Sequence, residues 1–101
     1  MAQGDGKHLT EALGGQPVEP LSAAERLERE RVRNLVQSVA ACYNSLVGQA
    51  TDPDRRAEFA ERLAFHDAEL RRIDTMPAAE RRTVLSTYPE LLARLRAELD
   101  R

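Results

Sequence analysis

The chain of 101 residues has no tryptophan, one cysteine (Cys42), one lysine (Lys7), two phenylalanines and two tyrosines. Each scarcity excludes something. A single cysteine cannot close an internal disulfide, which fits a reducing compartment. With so few aromatic anchors, a chain of this size hides only a modest fraction of its surface, and self-association is a common way to complete such a core. Acids and bases nearly balance, 17 against 15 for a net charge of −2, and they are interleaved. That argues against the basic stripe of a nucleic-acid binder. No apolar run approaches the ~18 residues of a membrane span, and the N-terminus lacks an apolar signal core. No membrane partner is therefore expected, and a cytoplasmic location is. Fourteen arginines against one lysine, with abundant alanine, suggest a GC-rich bacterial genome.

Recurrent chemical motifs are missing too. There is no glycine-rich phosphate loop, no Gly-x-Ser-x-Gly, no Cys-x-x-Cys and no His-Glu-x-x-His. His66-Asp67-Ala68-Glu69 sets a histidine and a glutamate three apart, as di-iron bundles do. Those bundles need a second such motif and two further glutamates on facing helices. Neither metal nor cofactor is expected.

What is present is helical periodicity, and no alternating run is long enough for a strand. The fold class is all-α, with residues 1–20 reading as a disordered tail and 21–101 as a single helical domain. The tail holds His8, clustered glycine and proline, and a short Leu9–Leu13 stretch with helical character. Ser22-Ala23-Ala24-Glu25 is a capping box opening a long helix over about 22–47, with Gly48 as its stop. Leu35, Val39, Cys42 and Leu46 form its apolar line, widened by Val32, Val36, Tyr43 and Val47. Its first turns are charged nearly all round, with Glu25–Arg29 and Arg26–Glu30 spaced to pair.

Asp52 and Pro53 supply an N-cap and a first helical residue for a second helix over about 53–74, antiparallel to the first across a short connection. Phe59, Leu63, His66, Leu70 and Ile73 form its apolar line. Phe65 lies off that line among charged residues and marks a second contact surface. Pro77 opens a third helix over about 77–87. Tyr88-Pro89 predicts a break, followed by a fourth helix over about 89–99, with Glu90, Arg94 and Glu98 pairing along its outer face. At ~1.5 Å per residue the first two helices span about 39 and 33 Å. Two short helices cover such a hairpin only in part, so the bundle is expected to be completed as a homodimer.

His66 is the informative anomaly, a histidine where the apolar line calls for leucine. Counting from the turn, position 66 is expected to face roughly position 35 and residues 71–74 to face roughly 27–31, so His66 and Glu69 are expected to share the open end of the hairpin with the charged start of the first helix. Glu28 and Arg31 stand there on the backward projection of the apolar stripe, with Arg71 and Asp74 opposite and Tyr88 folding over. As chemistry, His66 would be a base, Glu28 or Glu69 would orient it, Arg31 would hold an anion and Tyr88 would donate a proton. The two lie too far apart along the second helix for Cys42 to pair with His66 within one chain, so Cys42 reads as core. Two functions follow. The first is a non-catalytic helical interaction or accessory module, homodimeric and open to a protein or peptide partner. The alternative is a small cofactor-independent enzyme centred on His66 that acts on a peptide or small molecule.

Overall fold

A computed structural model of the chain describes residues 22–101. The expected tail and its Leu9–Leu13 stretch lie outside those residues. The described residues form three helices and no strand: α1 (Ala23–Gln49), α2 (Pro53–Arg71) and α3 (Ala78–Leu99), with a 3-10 turn at Ile73–Thr75 between the last two. None is long and apolar enough to cross a membrane.

Local chemistry explains the starts. The Ser22 hydroxyl accepts from the Glu25 amide at 3.1 Å, and the Glu25 carboxylate accepts from the Ser22 amide at 3.0 Å, so the capping box closes both ways. The Ser22 bonds hold the Glu25 carboxyl below its usual range. Asp52 accepts from the Arg55 amide at 3.3 Å, and Pro53 occupies the first turn of α2, where its missing N–H costs nothing. The end of α1 is not the one expected. The helix runs through Gly48, and Ala50 caps it in an extended conformation, donating to the Leu46 carbonyl. Arg56 of α2 donates to the Ala50 carbonyl at 2.6 Å, which satisfies a terminal acceptor without a left-handed glycine.

The second departure is at Pro89. The expected break does not occur, and α3 passes through the proline as one helix. Pro89 has no N–H for the Leu85 carbonyl, but it sits on the exposed side, where water can serve that carbonyl. The helix is tied down on both sides of the proline. Val84 is 2% exposed, and Leu92 and Leu95 are each 8% exposed on α1. Burial on both flanks outweighs the local cost, since each fully buried aliphatic side chain contributes about 1.5–3 kcal/mol. The end of α2 also differs. The helix stops at Arg71, and the 3-10 turn swings Ile73, 1% exposed, into the core.

Contacts along α1 fix the directions. Tyr43 meets Phe59 while Arg33 reaches Asp74, so α2 runs antiparallel to α1. Glu28 meets Arg81 while Leu46 clusters with Leu92 and Leu95, so α3 runs parallel to it. Val32, Val36, Val39, Tyr43 and Leu46 form the buried line of α1, spaced four, three, four and three. They feed two clusters. One holds Val32, Val36, Ile73, Met76 and Val84, and the other holds Val39, Cys42, Tyr43, Leu46, Leu92 and Leu95. Leu35 and Tyr88 pack against both.

α1 is therefore the spine, and both other helices lie on it. They do not lie on each other: no Cα of α2 comes within 8 Å of a Cα of α3. Their separation opens the groove considered below. If α3 is one continuous helix, Pro89→Ala should restore a donor to the Leu85 carbonyl and raise the stability of the chain by up to about 3 kcal/mol in urea unfolding. An unchanged or lowered midpoint would mean that the chain breaks at Tyr88-Pro89.

Candidate functional site

α2 buries two residues fully, and both are polar: His66 and Glu69, each 5% exposed. They are one helical turn apart, so their side chains meet on the same face. His66 Nδ1 lies 2.7 Å from Glu69 Oε1. With a carboxylate as acceptor, Nδ1 carries the proton, and Nε2 is the other ring nitrogen left for an outside partner. From α3, the Tyr88 hydroxyl donates to the same carboxylate, at 2.8 Å to Oε1 and 2.9 Å to Oε2. Glu69 thus gathers a donor from its own helix and another from across the gap.

Three aromatic rings enclose the histidine. Tyr43 of α1 stacks on it with centroids 5.5 Å apart and planes 9° from parallel. Phe65 and Tyr88 present edges at 5.0 and 5.5 Å, both near 85°. Burial pushes the Tyr88 phenol well above the ordinary value of 10.0, and its hydrogen bond to Glu69 pushes it the same way, because ionising it would set an anion beside a carboxylate.

Of the residues expected at this site, His66, Glu69 and Tyr88 come together and Glu28 and Arg31 do not. Glu28 accepts from Arg81 Nε at 2.8 Å. Arg31 is exposed beside Asn34, Leu35, Ser38, Leu85 and Pro89, in a separate groove between α1 and α3. Asp74 turns to Arg33 at 3.1 Å and Arg29 at 3.7 Å, and Arg71 is exposed. The physical reason is azimuth: Glu28 and Arg31 both face α3, one bound to Arg81 and the other beside Leu85 and Pro89, whereas His66 stacks on Tyr43. Arg81 went unnoticed in the sequence although it is 7% exposed, with Nη1 donating to the Met76 carbonyl at 2.8 Å. It occupies an apolar-line position of α3, ahead of Val84 and Tyr88, which is the same anomaly that singles out His66.

His66 from α2 and Tyr88 from α3, but not Glu69, line an open groove of about 610 Å³ between the two helices, together with Tyr43, Phe65 and Leu91. The groove continues past Phe59 and Leu95 towards the α1–α2 connection. Polar side chains span it at intervals: Arg72 to Glu80, Tyr88 to Glu69, and Arg55 to Glu98 at 3.4 Å. The expected Glu90–Arg94–Glu98 ladder is absent, because Glu98 is drawn across to Arg55 and Arg94 lines the groove. No group of three or more His, Cys, Asp or Glu among the described residues is placed to hold a metal ion. The chain matches no protein-family model, no curated protein and no solved structure.

The Tyr88 environment has a consequence at alkaline pH. In the unfolded chain the phenol ionises near 10, and in the fold it holds its proton longer, so unfolding releases a proton above that pH. Stability is then unaffected below pH 10 and falls as pH rises further. The slope is a fraction of about 1.4 kcal/mol per pH unit, since Tyr88 is only half-buried and solvent screens it. Urea unfolding at pH 9 and pH 11 should show Tyr88→Phe losing less stability over that interval than the unaltered chain. Equal losses would place Tyr88 in an ordinary solvated environment.

Proposed function

We propose that the protein is a small helical protein–protein interaction module that pairs with a second copy of itself through the groove between α2 and α3. The observation that carries this reading is that both helices pack on α1 while their own backbones stay apart, which leaves an aromatic-floored groove with Phe65 59% exposed on its edge. Large exposed aromatics bordering an apolar groove are a common mark of a contact surface. The limited burial open to a chain of this length favours another copy as the occupant.

The geometry gives less support to a small enzyme at His66. An Nδ1–carboxylate bond does orient a base. Yet the ring is stacked, edged on two sides and 5% exposed, so a reacting atom would have little of it to approach. A histidine fixed between Glu69 and three aromatics is also what a structural pin looks like.

Light scattering behind a sizing column should return twice the chain mass of 11.3 kDa. Phe65→Asp should shift the species towards 11.3 kDa with helicity retained, because Phe65 contributes little to the fold of one copy. A wild-type monomer across the micromolar range would overturn the proposal.

A further inference from the structure

The groove carries an imbalance of charge that says how the second copy sits. Arg62 on the α2 wall and Arg94 on the α3 wall both line it. Neither has an ion-pair or hydrogen-bond partner among the described residues. Three of the nearby acids are engaged elsewhere: Glu58 and Glu98 both pair with Arg55, and Glu69 serves His66 and Tyr88. Two unpaired cations thus line the groove against a single unpaired acid, Glu61, an arrangement that favours an occupant bringing carboxylates.

The chain itself carries such an occupant. On α2, Glu61 and the exposed Phe65 are four apart and share one face. Glu61 likewise has no ion-pair or hydrogen-bond partner among the described residues, and it lines the same groove. We infer that the second copy lays its α2 ridge on this groove, with Phe65 seated against the Tyr43 and Leu91 surface and Glu61 reaching Arg94 of the facing copy. In a two-fold pair each contact occurs twice, so one residue pair supplies both ridges and both grooves. Arg94, unpaired within one copy, becomes an anchor for the next. This rests on the self-association proposed above and adds its register.

The test is a charge exchange. Arg94→Glu and Glu61→Arg are each made in the full chain, both at exposed positions, and far-UV circular dichroism checks that each folds. Each variant alone should self-associate at least about tenfold more weakly than the unaltered chain, because two attractive pairs become two repulsive ones. An equimolar mixture should recover a 1:1 heterodimer, visible by native mass spectrometry, and since only folded chains pair, the mixture is its own folding control. If the unaltered chain is dimeric but both variants keep its affinity, or the mixture recovers nothing, this register is wrong while self-association stands. If the unaltered chain is monomeric, self-association and this register fall together and the groove belongs to a different chain.

Discussion

A buried carboxylate makes the central link between the two outer helices, between the exposed Arg72–Glu80 and Arg55–Glu98 pairs at either end. α1 has an apolar stripe broad enough to seat both, but seating does not fix the gap between them. Glu69 does, accepting from His66 on its own helix and from Tyr88 on the other. Hydrogen bonds to a charged acceptor are worth about 1.5–3 kcal/mol each, and stranding such a group in a buried site costs more still. Glu69, His66 and Tyr88 therefore stay together or not at all. Because the link is made by long side chains, the helices stand apart and a groove opens between them. Tyr88 also packs against both halves of the core, so the pin and the core share a residue.

A groove held open this way is costly surface for a chain with few aromatics. Four of those aromatics (Tyr43, Phe59, Phe65 and Tyr88) line it. Tyr43 is buried, Phe59 and Tyr88 are half-buried, and Phe65 stands exposed at the edge. The proposed self-association would cover that exposed ring.

Much of the fold was legible in local chemistry. The capping box at Ser22, the Asp52-Pro53 start and the spacing of apolar residues all place helices where they stand. His66 and Glu69 at the candidate site were legible as well, since His66 broke an apolar line and Glu69 lay one turn on, whereas Tyr88 arrives from within a continuous helix and not from the expected joint. What could not be read was azimuth. Glu28 and Arg31 share a stretch of α1, yet one turns to Arg81 and the other to the opposite groove, a difference set by where α3 settles. Pro89 and Gly48 misled because their signals are local. At Pro89, burial of Val84, Leu92 and Leu95 outweighed the lost hydrogen bond. At Gly48, Arg56 from the next helix supplied the missing donor.

The most direct test of this account is a double-mutant cycle between the two sides of the pin, with Glu69→Gln, Tyr88→Phe and the pair compared in urea unfolding. The structure predicts a coupling of about 1.5–3 kcal/mol, because the second substitution should cost little once the first has broken the link. Additive losses, with coupling near zero, would contradict it and mean that α2 and α3 are placed by their packing on α1 alone.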